Sequence, residues 1–296
     1  MTEMFEFDEW ITPVVEKPVP NAKPESALFV GPFGSGKTHT AGTAMDLPGF
    51  KKGLYIDTEG STVGVIKAPR WDIIRVDKYP SFEKVQQLAD KRGVDIDEID
   101  VEQERFRFLD GLLSSRKKGL FHPATKSNYD VIVLDAVDVA QQFAKYNFMD
   151  EDGEGVVYSE SGAVDGYKGW DNLGLWLRNI AIGFKKIGAL GIFIAHETDK
   201  VVKGSKTPVP TIALQGNMKE GLPSLVDMVM RLERTLEEDE DGNEEKVTYG
   251  ISISGDKDPV KDRFDFPPVI KNPNFPALFK YIDTQNKVSS NEKSKK

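Results

Sequence analysis

GPFGSGKTHT, residues Gly31 to Thr40, has the spacing G-x-x-x-x-G-K-T and follows the apolar run Ala27 to Val30. That spacing has a mechanical meaning. Glycines let successive backbone N–H groups converge on phosphate oxygens, a lysine reaches the β- and γ-phosphates, and the hydroxyl after it ligates a divalent cation. Gly31, Pro32, Phe33, Gly34, Ser35, Gly36, Lys37, Thr38 and His39 form the expected nucleotide cradle, with Lys37 on the phosphates and Thr38 on Mg2+. A glycine turn without a ligand is the alternative; a strand before the match and a helix after it argue for the cradle.

Outward from this loop, short apolar runs alternate with helical segments. The helix after the loop must stop by Leu47-Pro48, because proline cannot continue it. KGLYIDTEGS and WDIIRV are strand-length runs, and Asp100 with Gln103 has capping-box spacing ahead of Phe106, Leu109 and Leu113 at helical intervals. YDVIVLDAVD ends in acid, as a central strand does when its carboxyl end faces a site. Asp135 is the expected carboxylate that holds Mg2+ at the end of that strand; Asp138 has a weaker claim, since it can equally cap the next helix.

The segment from Met149 to Gly169 reads as a mobile polar loop, with Asp171 capping a helix whose apolar stripe is Leu173, Trp176, Leu177, Ile180, Phe184 and Ile187. ALGIFIAHE is a further buried strand that closes on polar residues. DMVMRLERTL and KVTYGISISG flank Asp241-Gly242-Asn243 as a hairpin. The pattern predicts one α/β domain with a mostly parallel sheet over residues 26–283, an N-terminal arm over 1–25 and a disordered tail over 284–296.

Composition narrows the chemistry. With no cysteine and three scattered histidines in 296 residues, disulfides, thiol nucleophiles and zinc centres are excluded or improbable. No apolar run approaches a membrane span, and the acidic start MTEMFEFDEW lacks the pattern of a secretory signal, so a cytoplasmic protein is expected. The net charge of -9 argues against a nucleic-acid partner, but Glu237 to Glu245 alone contributes seven acids and no bases, leaving the body near neutral.

Glu59, in YIDTEG, stands just beyond the second strand, where a carboxylate can orient an attacking water; a solvated loop acid is the plainer reading. In GPFGSGKT, YIDTEG, VIVLDAVD and GIFIAHE, taken in order, the chain resembles the RecA family of core ATPases, most of all the compact RecA-like ATPases carried by bacteriophages. The resemblance spans Ala27 to Phe266 and implies ATP with Mg2+ as ligands. It implies Glu59 as the water-activating base and His196 as the γ-phosphate sensor that signals to a following DNA loop. Ala136 and His196 depart from the commoner Ser and Gln of the recombinases.

The same resemblance implies two loops that bind single-stranded DNA. One is around Asp150 to Gly169, which is acidic. The other, after the sensor, carries Lys200, Lys203, Lys206 and Lys219 against Asp199. A solvated lysine loop is the alternative there, since it has no aromatic to stack on bases. Lys261 and Arg263 resemble the two basic residues, one apart, that RecA-like proteins have at about this place; Arg263, with Lys261 in support, is expected to enter a neighbouring protomer's site, and an ion pair within Lys-Asp-Arg is the other reading. The implied function is an ATP-dependent, DNA-stimulated ATPase of phage recombination or strand annealing, acting in an infected bacterial host. It would form a homo-oligomeric filament or ring and meet a single-strand-binding protein. A helicase-type motor and a nucleotide switch with a protein partner remain alternatives.

Overall fold

A computed structural model of the chain describes residues 23–60, 69–116, 118–122, 128–149, 166–200, 209–238, 244–252 and 263–293. Five parallel strands build the side of the sheet that runs inward from one edge: β1 (Ser26–Gly31), β2 (Gly53–Asp57), β3 (Trp71–Arg75), β4 (Val131–Asp135) and β5 (Leu190–Lys200). β6 (Val209–Ile212) returns antiparallel along the end of β5. β7 (Met228–Glu238) joins parallel to β1, and β8 (Glu244–Ile251) and β9 (Val269–Lys271) follow antiparallel, giving the order β3-β2-β4-β5-β1-β7-β8-β9.

The near-continuous apolar runs of these strands are explained by helices on both faces. Alternate residues separate cleanly. Leu28, Val30, Leu54, Ile56, Ile132 and Leu134 pack in one core with α3 (Val101–Leu112), α4 (Val137–Phe148) and α5 (Gly166–Lys186). Their neighbours Ala27, Phe29, Tyr55, Val131 and Val133 pack in a second core with α1 (Lys37–Gly42) and α7 (Phe275–Lys293). α2 (Phe82–Arg92) and α6 (Met218–Leu225) complete the helices of the described residues. No helix there is long and apolar enough to cross a membrane.

Three expectations need correction. α5 begins at Gly166, so Gly166 to Gly169 belong to the helix and Asp171 lies inside it. Trp170 in this turn packs against the first core, which gives the extra turn an apolar anchor. Residues 284–293 are helical, since α7 is anchored by buried Phe275, Leu278, Phe279 and Ile282 and then meets no Gly or Pro, so each further residue adds a bond at little cost. And β5 does not stop at the sensor: it runs four residues past His196 and pairs with β6 as a ribbon. Residues 1–22, 150–165 and the Asp241-Gly242-Asn243 turn lie outside the described residues.

Candidate active site

In a parallel sheet, ligands bind beyond the carboxyl ends of the strands. Register brings the chemistry there: Asp57 pairs with Asp135, Asp135 with Ile194, and Gly31 with His196. The residues Phe33 to His39, with Glu59, Asp135, His196 and Arg234, line one cleft.

Each part of the phosphate loop has a local cause. Gly34 and Gly36 have φ of +75° and +94°, a region that side chains rarely enter. Gly31 is needed for close approach, because a Cβ there would lie 2.3 Å from the Leu232 carbonyl oxygen. Lys37 is buried and donates to the carbonyls of Gly31 and Pro32, both at 2.8 Å. Burial lowers its pKa, opposed by the carboxylates of Asp135, Asp138, Glu59 and Glu197. Beside the end of β1, Arg231 of β7 holds Glu197 of β5 through two bonds of 2.6 and 3.0 Å.

Thr38 Oγ1 donates to Asp135 Oδ2 at 2.9 Å, and the buried Tyr55 hydroxyl donates to the same oxygen at 2.6 Å. Burial pushes the Asp135 carboxyl up, and these two hydrogen bonds pull it back. A hydroxyl and a carboxylate oxygen side by side are the hard donors that Mg2+ takes, so this pair fits that ion.

YIDTEG decodes residue by residue. Asp57 is buried, and its Oδ1 accepts the amide hydrogens of Glu59 and Gly60 at 3.1 and 2.7 Å, folding the chain into a turn at the strand's end. Gly60 supplies the positive φ, +84°, that completes the turn. The Thr58 hydroxyl accepts from the Ala136 amide at 2.8 Å and donates to its carbonyl at 3.0 Å, tying the turn to the residue after Asp135. The Asp135–Ala136 peptide is cis.

Glu59 emerges from this turn 3.2 Å from His196 Nδ1, which also lies 2.9 Å from Asp138 Oδ2. Phe33, at the loop tip, stacks on the imidazole with centroids 4.3 Å apart. Burial pushes the Glu59 carboxyl up to about 7; His196 opposes the shift, while Asp135 and Asp138 add to it. For His196, burial disfavours the imidazolium, but the hydrogen bond and charge of Asp138 outweigh it and the pKa rises.

The structure thus brings Lys37, Thr38, Asp135, Glu59 and His196 together. Arg234, unsuspected in the sequence, joins them: a Cβ on Gly36 would lie 2.9 Å from its Nη2, and its Nε donates to Thr248 at 3.1 Å. Only strand register could have placed this arginine at the loop. Asp138 does not cap α4: the N-cap is Ala136, and the Asp138 carboxylate is bonded to His196 instead.

None of the described basic candidates outside the phosphate loop lines the cleft. Lys200 ends β5 and Lys219 lies in the first turn of α6, while Lys203 and Lys206 are outside the described residues, as is Lys261. Arg263 pairs with Asp227 at 3.1 Å, beside Ser26 at the amino end of β1, the end opposite Gly31.

A phosphate loop on a central parallel strand, faced by acids from beyond the ends of β2 and β4, is the architecture of a RecA-like P-loop ATPase. The family follows from comparison with known proteins: a model described as an AAA domain (AAA_24) matches residues 23–259, and the chain belongs to that family. Among solved structures it is similar to the RadB recombinase, with 14% identity and a TM-score of 0.38 over 84% of this chain and 86% of that one. It is also similar to the flagellar accessory protein FlaH from Methanocaldococcus jannaschii, with 11% identity and a TM-score of 0.35 over 76% of each chain. No curated protein matches.

Proposed function

We propose that the protein is an ATP- and Mg2+-dependent ATPase that binds single-stranded DNA and serves recombination or strand annealing, as a homo-oligomer. The observation that carries this reading is the position of His196. It touches Glu59 in the cleft and lies on the strand that runs on to Lys200 and returns as β6, so one strand connects the phosphate site to the basic segment.

In the proposed roles, Lys37 and the loop amides hold the phosphates and Glu59 takes a proton from the attacking water. Thr38 and Asp135 would hold Mg2+, which when bound neutralises phosphate charge. ATP hydrolysis measured with and without single-stranded DNA across a salt series tests the reading. A rate indifferent to DNA would favour a switch that binds a protein partner, to which the charge of -9 also points.

If the lysines beyond the sensor carry the DNA, each phosphate contact adds about -0.7 to the slope of log affinity against log salt for a single strand. Charge reversal at Lys203 and Lys206 is then expected to weaken binding to all sequences alike and to flatten the slope by about 1.4. An unchanged slope would place the DNA site elsewhere.

The acidity of the base gives a second expectation. Glu59 acts only when ionised, and its carboxyl titrates near 7 in the free protein, so kcat/KM for ATP should rise with pH between 6 and 8. A profile that is flat across that interval removes Glu59 from the rate.

A further inference from the structure

Asp138 has no place in the phosphate chemistry described above, yet its buried carboxylate is fully engaged. Both oxygens cross from α4 to one residue of β5: Oδ1 accepts from the His196 amide at 3.0 Å, and Oδ2 lies 2.9 Å from His196 Nδ1. A carboxylate that grips the backbone and the ring of the same residue leaves the imidazole one orientation. Phe33 covers one face of the ring.

The hydrogen on Nδ1 has two claimants. Both neighbours are carboxylates, which when ionised only accept, so Nδ1 is the protonated nitrogen of the neutral ring. Directed to Asp138, that hydrogen leaves Glu59 free; directed to Glu59 Oε1 at 3.2 Å, it occupies a group that must itself accept a proton from water. Asp138 has the shorter contact and the additional hold on the amide. Among the described residues Nε2 makes no hydrogen bond, and His196 lines the phosphate cleft.

We propose that Asp138 is a positioning residue: it retains the Nδ1 proton of His196, which keeps Glu59 available to water, and by favouring the imidazolium it leaves an Nε2–H to donate to the γ-phosphate. The proposal rests on the reading of Glu59 as base and His196 as sensor. The charges around the ring agree with it, since the hydrogen bond and charge of Asp138 overcome burial to favour the protonated ring, with Glu59 assisting and Lys37 opposing.

Histidine 15N spectra and steady-state kinetics on the full chain test it. The chain has three histidines, His39, His122 and His196, so a His196→Gln variant assigns the signal. In the wild-type protein the neutral His196 ring is expected as the Nδ1–H tautomer; the Nε2–H tautomer overturns the proposal whatever the variants do. Asp138→Asn, nearly isosteric, is expected to bind ATP within about threefold of wild type, to lose kcat by about 10- to 100-fold and to lower the His196 titration midpoint. Asp138→Glu, which keeps the charge, should recover part of kcat. Wild-type kcat in Asp138→Asn, or a kcat loss with the His196 midpoint unmoved, overturns the role. If Glu59→Gln turned over normally, the reading of the base would fail; the histidine titration needs no hydrolysis and still decides whether Asp138 holds the proton.

Discussion

Lys37→Ala is expected to abolish nucleotide binding, whereas Glu59→Gln should keep binding and lose turnover. The two side chains share a cleft but act at different stages. The lysine ammonium, buried and held on the Gly31 and Pro32 carbonyls, neutralises phosphate charge already present in the bound ground state. Its removal leaves that charge uncompensated in a site screened from water, and a charge-assisted contact of this kind is worth about 1.5–3 kcal/mol, roughly 10- to 100-fold in affinity or more. Glu59 makes its contribution only when water is losing a proton, so the amide should bind ATP normally and lose about 10²- to 10⁴-fold in kcat. Equilibrium binding of a fluorescent ATP analogue and single-turnover hydrolysis separate the outcomes. Equal loss of affinity in both variants would sink the role assigned to Glu59.

Much of this site is legible in local sequence because its parts are local. The loop from Gly31 to Thr38 and the turn from Asp57 to Gly60 each carry their own geometry: glycines where φ is positive, and an aspartate that folds the turn on its own carboxylate. The parallel sheet is legible for a similar reason, since strands buried on both faces leave unbroken apolar runs. What depends on register is not. Arg234 reaches the loop only because β7 lies beside β1, and the Asp138–His196 pair joins residues 58 positions apart. Tyr55 sits in the middle of an apolar run and reads as core, yet its hydroxyl reaches Asp135. The continuation of β5 beyond His196 is hidden because Glu197 to Lys200 are polar; a ribbon projecting past the sheet has no core face to demand apolar residues.

Arg263→Ala is expected to bind ATP normally and to hydrolyse it about 10³- to 10⁵-fold more slowly, the range for a cation brought to the γ-phosphate in the transition state. The placement of Arg263 makes this a statement about assembly. It pairs with Asp227 by Ser26, and the six residues of β1, about 20 Å of strand, separate that end of the sheet from Gly31, so it does not serve its own cleft. If Arg263 acts on phosphate, the phosphate belongs to a neighbouring copy. Releasing it costs little: it is 52% exposed in its side chain, a surface pair contributes about 0–1 kcal/mol, and Asp227 keeps Lys185 at 2.8 Å and the Ser26 hydroxyl at 3.1 Å. Arg263→Ala protein mixed with Glu59→Gln protein should therefore regain activity that neither has alone, because a mixed interface can pair an intact Glu59 on one copy with an intact Arg263 on the other. Should the mixture stay as inactive as its parents while mixed assemblies are shown to form, the arginine is not supplied in trans, and its ion pair with Asp227 is its whole role.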